Sequence, residues 1–218
     1  MLRCAHGRAP SAASAAALDA YLVTVAEHGM NASTFAARVV ASTGSDAVSA
    51  VVAALGALKG PLHGGAPGPV LDMLDAIGEP GAAEAWLRAE LDAGRRIMGL
   101  GHRVYRVRDP RAAVLERAIA ALEASEGGGR YLALARAVER VAVRVLRERY
   151  PARGLDANVE FYTAVLLDAL GFPRDAFTAV FAAARVAGWL AHVDEERERG
   201  RLIRPDVRYV GSVPAEAA

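Results

Sequence analysis

An all-α fold is the class this sequence predicts, and three observations carry it. Apolar residues recur at helical spacing through most of the chain, as at Val48, Val51, Val52, Leu55 and Leu58. The interruptions are dense in Gly and Pro, as in GPLHGGAPGP over residues 60–69. No run reads as a half-buried strand with period two, so helix must pack on helix.

Taken in order, an Ala-rich helix is expected over 14–27, with Ser14 as its cap and His28-Gly29 as its stop. Asn31 or Ser33 caps the next, over 31–42. A third runs from Asp46 to Leu58 and ends at Gly60-Pro61. Residues 60–69 hold too many glycines and prolines for regular helix. Helical pattern resumes over 70–77 and 82–93. Asp109-Pro110 opens another helix, Asp as cap and Pro at the first helical position, running to residue 123. Residues 125–130 (SEGGGR) form a flexible connection. Leu134, Val138, Val141 and Val145 mark a long amphipathic helix to residue 149, broken by Pro151 and Gly154. A helix over 158–170 closes at Gly171. The last strong helix shows Phe177, Phe181, Ala184 and Gly188 on one face, and the tail over 199–218 reads as extended.

Composition narrows the function. At 218 residues with 53% hydrophobic content, the chain can bury a real core and is not disordered. A formal net charge of +1 argues against non-specific nucleic-acid binding. Cys4 is the single cysteine, which fits a reducing compartment. Charged residues or His interrupt every Ala/Val/Leu stretch, and the start lacks the apolar core of a signal peptide, so a cytoplasmic protein with no membrane partner is expected. Lys59 is the single lysine among 26 basic residues, a bias with no functional meaning that we can assign.

The chemistry-bearing stretch is residues 99–111, GLGHRVYRVRDPR. It sets His102 between glycines and a run of arginines: Arg103, Arg106, Arg108 and Arg111. A histidine beside a cationic pocket suits an anionic substrate whose carbonyl needs a proton or hydrogen bond. The same residues also fit a solvated basic loop. His63 lies in a Gly/Pro-rich turn, an unusual place for a core histidine and a good one for a backbone-pinned electrophile. His28 alone reads as a charge partner for a helix C-terminus. The five histidines are scattered with no paired spacing and no cysteine cluster, so no metal is expected. No nucleophile elbow, phosphate loop or dinucleotide fingerprint is present.

Five motifs in order, NASTFAARVVASTGSD, GALKGPLHGGA, GLGHRVYRVRDPRA, NVEFYTAVLLDALG and FAAARVAGWLAH, resemble citrate synthase. The resemblance runs from about His6 to Gly211 and corresponds to the C-terminal part of that family, whose members carry a further helical segment upstream. It implies a fold with a large and a small domain closing over a cleft, in a homodimer. Residues 1–65 would be large-domain helices, 66–171 the small domain, and 172–218 the return to the large domain and the tail. It implies condensation of acetyl-CoA with oxaloacetate, with no permanently bound cofactor. His63 matches the histidine that hydrogen-bonds the thioester oxygen, and His102 the one that polarises the oxaloacetate carbonyl. Glu160 holds the position of the proton-abstracting carboxylate. Most of the family has Asp there, and one added methylene shifts the carboxylate by about 1 Å, a displacement that can cost on the order of 10²-fold in rate.

By the same resemblance Arg111 and Arg185 hold oxaloacetate carboxylates, His28 is a further substrate contact, and Arg204 matches an arginine donated across the dimer. Bidentate pairing with carboxylates is the reason for Arg rather than Lys. Arg106 would face the CoA phosphates, and the backbone of Ile97, Met98, Gly99, Leu100 and Gly101 the adenine. Ser33 would orient His63, while Arg103, Arg108 and Arg117 would be solvated charges. Two alternatives stay open. One is 2-methylcitrate synthesis from propionyl-CoA, since one methylene is read only by pocket shape. The other is a non-catalytic remnant that binds a ligand or partner. A homodimer or a separately encoded N-terminal piece is the expected protein partner.

Overall fold

The computed structural model describes residues 1–61, 63–64, 67–102, 107–127, 129 and 131–212. Among them are ten α-helices: α1 Leu2–His6, α2 Ala12–Val25, α3 Ala32–Ser42, α4 Ala47–Leu58, α5 Pro67–Ile77, α6 Ala83–Asp92, α7 Pro110–Glu126, α8 Leu132–Arg149, α9 Val159–Ala169 and α10 Phe177–Arg199. Short 3₁₀ turns precede α6 and α10. The all-α expectation holds.

Local chemistry explains most boundaries. The Asn31 side chain accepts from the N–H groups of Ser33 and Thr34, and Asp46 Oδ1 accepts from Ser49 N–H, closing the first turns of α3 and α4. Asp109 caps α7 through Arg111 N–H, with Pro110 as its first residue. Two expectations need correction. The cap of α2 is Ser11, whose Oγ accepts from Ser14 N–H at 2.9 Å, so Ser14 lies inside the helix. Helix α5 begins at Pro67, within the stretch expected to be irregular, because a first turn has no intrahelical partner for its N–H groups and tolerates Pro67 and Pro69. Helix α1 carries only Leu2 as a buried residue, too little periodicity to be read.

Helix α9 lies at the centre, with every side chain from Phe161 to Leu167 buried. Helices α5 and α7 pack on it, α6 pairs with α8, and α2 pairs with α7. On the other side α3 and α4 pack closely through Ala37, Ala41, Ala50 and Ala54, all nearly inaccessible. Helix α10 crosses α2, α3 and α4. Arg174–Arg199 is long and apolar enough to cross a bilayer by length and composition, at mean hydropathy 1.4, which the sequence reading did not anticipate. Half of that window is buried as a core helix. Helix α4 is apolar on its outer face too, where Val48, Val52 and Leu55 are exposed.

A short antiparallel bridge joins Leu100 to Ala157. Gly101 N–H donates to Asp156 C=O (2.8 Å), Asn158 N–H to Gly99 C=O (2.9 Å), and Asp109 N–H to Ala157 C=O (3.0 Å). Gly99 sits at φ +73°, and a Cβ there would lie 2.8 Å from the Phe161 ring. Gly99→Ala therefore combines left-handed strain with overpacking, and a loss of about 2–4 kcal/mol is expected in urea unfolding. A loss under about 1 kcal/mol would mean that this turn relaxes freely.

Candidate active site

Six side chains from separate parts of the sequence face one region. His28 follows α2, where Gly29 adopts φ +59° to turn the chain. Its ring stands edge-on to that of His102, with centroids 5.3 Å apart. His102 follows the bridged segment and Glu160 lies in the first turn of α9, so the backbone bonds above hold these two groups in register. The Asn158 side chain adds a bond to Gly101 C=O at 2.9 Å instead of capping α9.

His63 occupies the turn between α4 and α5, pinned by its own N–H to Gly60 C=O and by Gly64 N–H to Leu58 C=O. Its Nε2 lies 2.9 Å from Ser33 Oγ, as expected for an orienting serine. The sequence reading missed the rest of that network. Trp189 Nε1–H donates to the same oxygen at 3.2 Å, and Asn31 Oδ1 lies 2.7 Å away as an acceptor. The single hydroxyl hydrogen of Ser33 thus has two acceptors. When it turns to His63 Nε2, the ring's own hydrogen is fixed on Nδ1, which becomes the donor.

Arginines set the electrostatics. Arg185 on α10 is 2% exposed, donates from Nε to Val25 C=O at 2.6 Å, and lies 4.9 Å over the Phe181 ring. Burial and then the neighbouring Arg111 push its pKa down to about 10, so it remains charged at neutral pH. Arg111 forks onto Asp109, Nε to Oδ1 at 3.0 Å and Nη2 to Oδ2 at 2.7 Å. Asp109 is fully buried. Sequence reading took it only for a helix cap, yet it also fixes the plane of the Arg111 guanidinium.

These neighbours hold the histidines uncharged. Burial, then Arg111, His102 and Arg185, push His28 down to about 4. Burial and Arg185 lower His63, and burial and Arg111 lower His102, with Asp109 opposing. Glu160 is raised: burial disfavours its charge more than its own backbone N–H and Arg111 favour it. A neutral imidazole donates a hydrogen bond to a carbonyl without first losing a proton, and a raised carboxylate is a stronger base.

Other expected residues fall elsewhere. Arg204 is exposed on the extended tail, tethered to α3 where Ile203 N–H donates to Ser42 Oγ, and does not join the cluster. Arg106 and Arg103 lie outside the described residues. Arg108 is no solvated charge: it pairs with Glu139 (2.6 Å) and Glu116 (2.7 Å) and lies over the Tyr162 ring. Arg117 is exposed, as expected. Ile97 and Leu100 are buried, while Gly99 and Gly101 spend backbone groups on residues 156–158. No group of metal-ligating side chains occurs among the described residues.

Fold and site define an all-helical protein in which three histidines of lowered pKa, two arginines and one carboxyl of raised pKa lie close together. The profile of the citrate synthase C-terminal domain matches residues 1–206, and the chain belongs to the citrate synthase family. A Mycobacterium tuberculosis protein named "Putative citrate synthase 2" is 51% identical over 198 residues, 91% of this chain and 52% of its own length. The 2-methylcitrate synthase 2 of Corynebacterium glutamicum is 43% identical, covering 90% of this chain and 50% of its own length. The solved citrate synthase of Thermoplasma acidophilum, in ternary complex with carboxymethyl coenzyme A and oxaloacetate, superposes with a TM-score of 0.86 at 33% identity. That alignment covers 100% of this chain and 58% of the other. The chain spans about half the length of the curated relatives it matches.

Proposed function

We propose that this chain carries the catalytic groups for condensing acetyl-CoA with oxaloacetate to citrate and CoA. The observation that carries this reading is the convergence of His28, His63, His102, Arg111, Arg185 and Glu160, with the histidines held neutral and the carboxyl raised. Glu160 takes a methyl proton from acetyl-CoA while His63 donates a hydrogen bond to the thioester oxygen. The enol carbon attacks the ketone carbon of oxaloacetate, and His102 stabilises the alkoxide that forms. Water then cleaves the thioester of citryl-CoA, releasing citrate and CoA thiol. Arg111 and Arg185 hold the two carboxylates of oxaloacetate, with His28 as a further contact. The CoA contacts that the family resemblance implies are Arg106, outside the described residues, for the phosphates and the backbone of residues 97–101 for the adenine.

The substrates enter between residues 66–171, acting as a small domain, and the flanking segments. Helix α10 supplies Arg185 and α7 supplies Arg111, so a dianion bridging both favours closure. A ternary complex on a relative of this shape supports both ligands. The working protein is a cytoplasmic assembly, a homodimer in which Arg204 serves the neighbouring site. The exposed apolar face of α4 supports an assembly that covers it.

The 2-methylcitrate synthase among the relatives favours a second reading, with propionyl-CoA as the acyl donor. Oxaloacetate-dependent release of CoA thiol, measured with acetyl-CoA and with propionyl-CoA, tests both. Turnover is expected from the assembled protein, and weak or no turnover from the chain alone. No turnover with either donor, after addition of an N-terminal fragment from a relative, would sink the enzymatic reading and leave a ligand-binding remnant.

A further inference from the structure

Three residues on one stripe of α10 grip three consecutive residues at the end of α2. Arg185 Nε donates to Val25 C=O at 2.6 Å. Gly188 faces Ala26, where a Cβ would come within 2.3 Å of the Ala26 carbonyl oxygen. His192 Nε2 lies 3.0 Å from Glu27 Oε1. The next residue is His28. The spacing of three and then four places all three on one helical face.

The chemistry of His192 is fixed from both sides. Its Nδ1 lies 3.1 Å from Arg38 Nη1, and a guanidinium can only donate. Nδ1 is therefore the acceptor, the ring hydrogen sits on Nε2, and it donates to Glu27. Glu27 Oε1 in turn accepts from Gly29 N–H at 2.5 Å, closing the turn around His28. Arg38 is itself anchored, to Glu196 at 2.6 Å and Glu195 at 3.0 Å. It lies on α3, the helix whose first turn presents Ser33 to His63.

We propose that His192 is a positioning residue for His28, acting through Glu27 to hold the substrate-facing turn against α10. The inference deepens the condensation reading and rests on it for the role of His28, but its test has a readout independent of turnover.

That readout is the titration of the His28 ring, followed by NMR on the full chain and assigned with His28→Gln. His28 faces Arg111, His102, Arg185 and Asp109, and burial together with its cationic neighbours pushes its pKa down to about 4. In His192→Leu the turn loosens, the ring gains solvent and distance from those cations, and the midpoint rises toward 6.5, its ordinary value. His192→Gln keeps the native midpoint, because its amide N–H can donate to Glu27 while its carbonyl accepts from Arg38. Glu27→Ala, at an exposed position, gives the same rise as His192→Leu and serves if that variant fails to fold. In the assembled enzyme KM for oxaloacetate rises about tenfold in His192→Leu with a smaller change in kcat. A His28 midpoint unchanged from the parent in folded His192→Leu or Glu27→Ala overturns the proposal. So does a Gln variant that behaves like Leu. Absence of turnover in every variant, with the midpoints moving as stated, would count against the condensation reading and leave the positioning role standing.

Discussion

Glu160→Gln lowers kcat for CoA release by about 10²–10⁴-fold, the usual worth of a positioned general base. Gln keeps the length and polarity of Glu160 but cannot take a proton, so the loss falls on chemistry and not on packing. Stability separates the two explanations. Burial raises the folded-state pKa of Glu160, so its contribution to stability is present below the ordinary carboxylate range and is lost as pH rises through the folded value. At neutral pH the charged form is the strained one, and Glu160→Gln should unfold at equal or higher denaturant concentration than the parent. Activity has the opposite dependence: kcat falls as pH drops through the raised pKa, earlier than an ordinary carboxylate would allow. A Gln variant with more than a tenth of parental turnover would remove Glu160 from the role of base.

Arg185→Leu should weaken oxaloacetate binding by about 30-fold to several thousand-fold, the range for removing one member of a buried charge pair. Arg185 is nearly inaccessible, fixed by Val25 and stacked over Phe181, so no neighbouring side chain can swing in to replace it. Its loss also removes a charge that lowers both His28 and His63, and both should titrate higher in the variant. Calorimetric titration with oxaloacetate reads the first effect, and histidine NMR the second. Unchanged affinity in the folded variant would show that Arg111 and His28 suffice to hold the anion.

Much of this architecture is legible in the residue pattern because helices write themselves with a strong period. Asn31, Asp46 and Asp109-Pro110 announce starts that the structure keeps, and the candidate histidines stand in Gly-rich turns that catch the eye. The misses have different physical causes, some local and some between distant residues. Asp109 has a complete local explanation as a cap, so nothing in the sequence points to its fork on Arg111. Arg108 stands in a basic run and reads as solvated until Glu116 and Glu139 come round from α7 and α8. Trp189 meets Ser33 only through the crossing of α10 over α3, while Asn31 reaches it from the cap of the same helix. Proline in a glycine-rich stretch hides the start of α5, since the same residues that break a helix interior are welcome in its first turn.

The bridge between Leu100 and Ala157 has a consequence for how positional error spreads through the site. Both flanks of the His102 segment, at Gly101 and at Asp109, are fastened to residues 156–158, and Glu160 follows two residues later on α9. A disturbance to either partner is thereby shared by both, as a common-mode displacement that cancels in the separation between them. The fastenings run through main-chain atoms, so most side-chain changes along residues 97–101 and 156–158 leave them in place. What such a disturbance can alter is the distance from this pair to His28, His63 and Arg185, which stand on other helices. Glu160 and His102 thus keep their mutual geometry while the register of the whole pair against those helices is free to be tuned.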